Sequence, residues 1–340
     1  MNIVFILMGA LAVVLLGFRA QAIGRALGLL DDPSSEAHKF HANKTPLVGS
    51  ILLAAGMVFL VVDIFISDLH REYLSISCFA GAMCVLGIID DRVKLSWVSR
   101  FFTLWLIVAA LIAVSPDLLI SDLHWSWGMS THLGSIAGLL FTALCLVGMV
   151  IALNMMDGFN GGILSQGIVW SLIFAVLSVS QQAVMLYLAL VLGIIFAFNM
   201  AGRLFMGDGG AYALGLVMGA SAILMYSTES TSPVYADTIV VWLALPVFDC
   251  LRVIFWRKLN GHSPFLPRRD HLHHLIMRRA GPKAALAYAT TFTASSGVFA
   301  LYFPQLSYLV VFAQLGVLAL SVAILSKAER VESAKRVAAE

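Results

Sequence analysis

Long apolar runs constrain this chain more than any other feature of its sequence. Eleven of them are found, at 2–22, 47–66, 73–89, 100–116, 133–153, 162–179, 183–201, 210–226, 237–256, 284–302 and 305–326. A bilayer core takes about 20 mostly apolar residues per helix. In lipid the backbone must satisfy its own hydrogen bonds, so runs of this length are predicted to be helices. Composition agrees, because only 12% of the residues are charged, against about 25% in a soluble domain. A chain so poor in charge cannot cover a water-facing surface. The expectation is an all-α polytopic membrane protein with about eleven transmembrane helices. A single transmembrane domain covers 1–326, followed by a charged cytoplasmic tail at 327–340. Nothing in the sequence points to a nucleic-acid partner.

Charge sets the orientation. Arg19 and Arg25 follow the first apolar run and nothing basic precedes it. That suits an uncleaved span with its N-terminus outside better than a signal peptide, despite the Ala20-Gln21-Ala22 triplet. With that orientation the inner loops are 23–46, 90–99, 154–161, 202–209 and 257–283, plus the tail. Of the 21 Lys and Arg residues, only Arg71 then falls outside, as the positive-inside rule requires. Cys78, Cys84, Cys145 and Cys250 lie in apolar stretches without metal-type spacing, and are read as reduced packing residues.

The same parity gathers the polar motifs on the cytoplasmic face. Asp90 and Asp91 end the third run, Asp157 lies in "NMMDGFNGG" and Asp208 in "RLFMGDGG". One such aspartate is as readily a solvated interfacial residue as a functional one, and Asp-Gly is a common turn pair. Four at helix ends on one face point further. Glycine beside aspartate lets the backbone approach a ligand, and a few carboxylates with substrate phosphates suit Mg²⁺, or Mn²⁺ in its place. "RRDHLHH" at 268–274 has three readings: a zinc site, an accident on a polar loop, or an anion seat. The crowded His271, His273 and His274 have no cysteine beside them, and Arg268, Arg269, Arg278, Arg279 and Lys283 would oppose a dication. Arginine forks and histidine donors favour the anion.

In chain order, "HANKTPLVGS" (41–50), "GIIDDR" (87–92), "NMMDGFNG" (154–161), "FMGDGGAYALG" (205–215), "PVFD" (246–249) and "SPFLPRRDHLHH" (263–274) resemble the motifs of the polyprenyl-phosphate N-acetylhexosamine-1-phosphate transferases. These are glycosyltransferase family 4 enzymes. The histidine stretch is similar to that of the GlcNAc-1-phosphate branch, while the phospho-MurNAc-pentapeptide branch frames its histidines differently. The resemblance implies transfer of a sugar 1-phosphate from a UDP-N-acetylhexosamine to undecaprenyl phosphate in the bacterial inner membrane. It begins a cell-envelope polysaccharide such as O-antigen. A homodimer is compatible with it.

By the same resemblance, Asp208 is the principal metal ligand, assisted by Asp91, and Asp90 and Asp91 face the lipid phosphate. Asn154 and Asp157 line the diphosphate site and Phe205 stacks on the uracil. His271, His273 and His274 with Arg269 hold the sugar nucleotide, and Lys44 and Thr45 lie near the lipid phosphate. Asn160 and Arg268 stand where relatives often carry an acid, and Ala211 where they often carry Ser or Thr. Asn160 therefore contacts substrate without serving as a base, and Arg268 bears on the fit of the sugar. The rival class is a transporter. Transporter acids lie near the membrane midplane on broken helices, whereas these cluster at one face.

Overall fold

The computed structural model describes residues 1–32, 44–227, 233–263 and 268–337. Thus 41–43 of the first motif and 264–267 of the last lie outside the described residues. The described chain is mostly helical: α1 (Ile3–Leu27), α2 (Gly49–Ser67), α3 (Glu72–Val93), α4 (Trp97–Val114), α5 (Gly134–Met156), α6 (Gly162–Leu177), α7 (Gln182–Met200), α8 (Gly207–Ser227), α9 (Ala236–Leu259), α10 (Leu272–Ala280), α11 (Pro282–Tyr302) and α12 (Ser307–Val337). Among the described residues ten helices are long and apolar enough to cross a membrane. The predicted sixth span, α6, has 16 residues, or about 24 Å of helix, short of a hydrocarbon core about 30 Å thick.

Helix α8 is the axis. Every residue from Gly209 to Met225 is buried, and α3 and α5 make its most extensive contacts. Small side chains permit this, because without a hydrophobic effect between helices in lipid, close backbone packing holds them together. A Cβ on Gly215 would stand 2.8 Å from Val150 Cα. Polar side chains tie the outer ring. Thr293 on α11 donates to Gln166 Oε1 on α6 at 2.5 Å, and Gln314 on α12 donates to Val241 O on α9 at 2.9 Å.

Four features differ from the sequence reading. The chain is not purely helical, since Leu30–Asp31 (β1) pairs with Thr45–Pro46 (β2), and Asp122–His124 (β3) with Ser130–His132 (β4). The second pair is a hairpin pinned to α8 by Tyr226, whose hydroxyl accepts from His124 N at 2.7 Å and donates to Asp122 O at 2.8 Å. The loop 257–283 contains α10, an amphipathic helix with Leu272, Leu275 and Ile276 buried and Arg278 and Arg279 exposed. Helix α3 runs through Asp90 and Asp91, and α8 begins before Asp208, so these three acids are helical. Finally, the charged tail, read from the sequence as a short helix, is helical to Val337 but continues α12 without a break.

Candidate functional site

Two glycines bring the acids together. A Cβ on Gly87 of α3 would overlap the backbone of Gly209 on α8, so only glycine lets these helices touch. Three and four residues further on, α3 carries Asp90 and Asp91 up to the first turn of α8. Gly207 begins α8 at φ +69°, a left-handed conformation that side chains rarely adopt. A Cβ there would stand 2.6 Å from Asp91 Oδ2. Asp91 then accepts the Asp208 backbone N–H on both carboxylate oxygens, at 3.1 and 3.3 Å. That N–H is one that a helix start leaves without an internal partner.

Asp208 is oriented from the opposite side. Asn154, in the last turn of α5, donates to Asp208 Oδ1 at 2.8 Å. Asp157 closes the same helix end. Burial, then the Asp208 charge, pushes its carboxyl up to about 7. Asp90 behaves differently from Asp91. It is buried and turned inward, accepting from Leu95 N at 2.9 Å, Arg100 at 2.9 Å and the Tyr212 hydroxyl at 3.0 Å. Asp90 is thus engaged by three protein donors, while Asp91 is turned to the start of α8.

The neighbouring loops are tied to this centre by backbone bonds. Phe205 N donates to Pro46 O at 2.9 Å, and Gly49 N to Phe205 O at 2.9 Å. This lays the Lys44–Thr45–Pro46 segment along the start of α8. Thr45 is buried, Phe205 half-buried, and Lys44 is exposed with its ammonium 2.6 Å from Asp32. Asn199 is the clamp between the two glycine-rich loops. It accepts from Gly161 N at 2.6 Å and donates to Leu204 O at 2.9 Å. Asn160 lies beside this clamp, half-buried.

The histidines divide by role. His271 caps the start of α10, and its Nδ1 lies 2.9 Å from Asp249 Oδ2. Asp249 also accepts from Leu272 N at 3.2 Å and from Arg252 at 2.6 Å. It is therefore an anchor for the start of α10 and not an isolated intramembrane acid. Asp270 is bound through both oxygens to Arg257, at 2.9 and 2.5 Å. His273 packs on the Asp157 loop, its ring centroid 5.3 Å from that of Phe159, and a Cβ on Gly158 would overlap it. Among the described residues His273 Nε2 and His274 Nδ1 are buried without a hydrogen-bond partner. Burial, then the neighbouring histidines, holds His273 well below the usual histidine range. Burial, then His271 and the nearby arginines, brings His274 to about 4. Both rings are neutral at pH 7. Arg268 is exposed, and Arg269 is half-buried with its carbonyl accepting from Arg278 at 2.8 Å.

The structure thus joins Asp91, Asp208, Asn154, Asp157 and His273, with Asp90 and His271 one layer behind. Sequence reasoning missed Arg100, Tyr212, Asn199 and the Arg257–Asp270 pair. Only α10 had a legible signal, the spacing of Leu272, Leu275 and Ile276. Among the described residues no group of three or more His, Cys, Asp or Glu is already gathered around a metal position. The donor set nevertheless fits Mg²⁺. That ion takes one or two carboxylates and completes its shell with water and phosphate oxygens. The raised Asp157 carboxyl beside Asp208 marks a cluster of like charges that a dication would relieve.

Fold and site together define a polytopic membrane protein with an acid and histidine site built on adjoining helix ends. Residues 73–226 match the sequence profile of glycosyl transferase family 4. The undecaprenyl-phosphate alpha-N-acetylglucosaminyl 1-phosphate transferase of Escherichia coli is 31% identical over 306 residues, covering 84% of this chain and 80% of its own. The Yersinia pestis protein of that name is 29% identical over 272 residues, covering 77% and 73%. A probable undecaprenyl-phosphate N-acetylglucosaminyl 1-phosphate transferase of Bacillus subtilis is 26% identical over 286 residues, covering 81% and 77%. The chain belongs to glycosyl transferase family 4.

Proposed function

We propose that this protein transfers N-acetylglucosamine 1-phosphate from UDP-N-acetylglucosamine to undecaprenyl phosphate, releasing UMP. One observation carries the reading: relatives named for this reaction align over 84% of the chain. A lipid phosphate oxygen forms a bond to the sugar-bearing phosphorus as the bond to UMP breaks. One diphosphate linkage replaces another, so the reaction lies near balance. The nucleophile has a second pKa of about 6 and is largely dianionic at neutral pH. The protein's work is therefore to align two anions rather than to remove a proton.

Asp208 and Asp91 would hold Mg²⁺ or Mn²⁺, with Asp157 beside them. When bound, the ion neutralises charge on the diphosphate. Asn154 keeps the Asp208 carboxylate oriented. His273 and His274, as neutral donors, and Arg269 and Arg268 would bind the sugar nucleotide. Phe205 would stack on the uracil, Asn160 would contact the nucleotide, and Lys44 and Thr45 would lie near the lipid phosphate. Asp90 and His271 position their neighbours. The protein would lie in the bacterial cytoplasmic membrane as eleven spans, the bilayer thinning locally around the short α6, with its N-terminus outside and the site inside. There it would begin an envelope polysaccharide such as O-antigen. Purified protein given undecaprenyl phosphate and a panel of UDP-sugars should release UMP with UDP-N-acetylglucosamine. Release with another UDP-sugar alone would reassign the donor, and no release with any would overturn the reaction.

A further inference from the structure

We infer that Arg100 is the residue that receives the phosphate of the membrane-borne acceptor, and that Asp90 and Tyr212 exist to aim it. This rests on the reaction proposed above. The first observation is the state of Asp90. Its carboxylate is buried, with Leu95 N, Tyr212 and Arg100 all donating to it within 3.0 Å. Oδ2 takes both the guanidinium and the hydroxyl, and Oδ1 takes the backbone N–H, so this carboxylate is committed mainly to protein donors. It fixes a guanidinium, and the Tyr212 hydroxyl on the neighbouring helix fixes the carboxylate in turn.

The second observation is where that guanidinium sits. Arg100 lies in the first turn of α4, and its side chain remains 32% exposed while its Asp90 partner is 3% exposed. A guanidinium has five N–H donors in a fixed fork. The Nη1 bond to Asp90 and the contact with the Tyr212 hydroxyl still leave part of that fork for an incoming oxyanion. The Arg100 charge also acts on Asp208, so an anion on its outer edge would lie beside the carboxylate centre.

The third observation is the approach. Trp97, Phe101 and Phe102 flank Arg100 on α4, 50%, 37% and 63% exposed, and Val93 at the end of α3 is 68% exposed. These exposed apolar side chains lie around the start of a helix long and apolar enough to span a bilayer, which would put the Arg100 cation at head-group level. A phosphate tethered to a hydrocarbon chain must arrive from that side. The three acids of the centre would repel it, and a guanidinium is the side chain that grips phosphate through two parallel bonds.

The test separates the two substrates. In Arg100→Gln the KM for undecaprenyl phosphate should rise about 10–100-fold, as loss of a charged hydrogen bond implies. The KM for UDP-N-acetylglucosamine should stay within about threefold. Arg100→Lys, which keeps the charge and loses the fork, should fall between parent and Arg100→Gln. Because Arg100→Gln leaves a buried carboxylate unpaired, the double variant Asp90→Asn with Arg100→Gln keeps the assay decisive if the single variant unfolds. It should be as defective toward the lipid. Binding gives a readout independent of turnover: polyprenyl phosphate, but not polyprenol, should raise the melting temperature of the parent, and the Arg100 variants should lose that shift. An unchanged lipid KM in a folded variant, or an equal rise in both KM values, would overturn the assignment. A parent enzyme that releases no UMP would instead overturn the reaction itself.

Discussion

Replacing Gly87 with alanine should disable the site from a position that touches no substrate. The new Cβ would overlap the Gly209 backbone and crowd the Asp208 carbonyl carbon. Ordinary carbon contacts need about 3.5–4.0 Å, so α3 and α8 would have to separate by about an ångström or more. Overpacking of this kind costs about 1–3 kcal/mol. The larger effect falls on geometry, because Asp91 holds the Asp208 N–H across this contact. A misplacement of about 1 Å can cost roughly 10²-fold in rate. Gly81 lies on the same helix with nothing within 4 Å of its would-be Cβ. Gly81→Ala should therefore be neutral, or more stable by about 0.5–1 kcal/mol. The assay is UMP release with thermal unfolding measured in parallel. Gly87→Ala turning over within threefold of the parent, at an unchanged melting temperature, would refute the claim that this contact sets the acid geometry.

Four further outcomes are expected. Asp208→Asn should abolish UMP release at ordinary Mg²⁺ levels, or recover only at much higher concentration; normal turnover at low Mg²⁺ would remove Asp208 as a ligand. Asn160→Asp should leave the rate within about an order of magnitude, about 1.4 kcal/mol of barrier, and complete loss would show that charge at this position is tightly set. His273 and His274 titrate below the ordinary value when folded, so the unfolded chain binds more protons between the folded values and about 6.5. Stability is then full above pH 6.5 and lost as pH falls, by up to about 1.4 kcal/mol per pH unit for buried His273 and less for His274. Melting curves of His273→Asn between pH 7.5 and 5 should be flatter than those of the parent, and an identical slope would contradict this. A reporter fused after Gly261 should lie in the cytoplasm and one after Ser230 outside; the same side for both would undo the charge-parity topology.

The sequence alone determined the membrane class and the approximate helix positions, and it predicts the sidedness of the acids. Hydropathy and the distribution of Lys and Arg are properties of local composition, and the solvent acts on them directly. It also pointed to Asp91, Asp157, Asp208 and the histidines as a group, because short motifs carry their chemistry with them. It left the roles within that group open. Asp90 and Asp91 are adjacent letters, yet the 100° between successive helical residues turns one onto Arg100 and Tyr212 and the other onto Asp208. His271 and His273 are two residues apart, yet one anchors α10 to Asp249 and the other lies against Phe159. Asn199, Arg100 and the Arg257–Asp270 pair act across 5 to 38 residues of chain. No periodicity or motif encodes a partner at such separations. Only the packing of α3 and α5 on α8, at the closeness that Gly87 and Gly215 permit, decides which side chains meet.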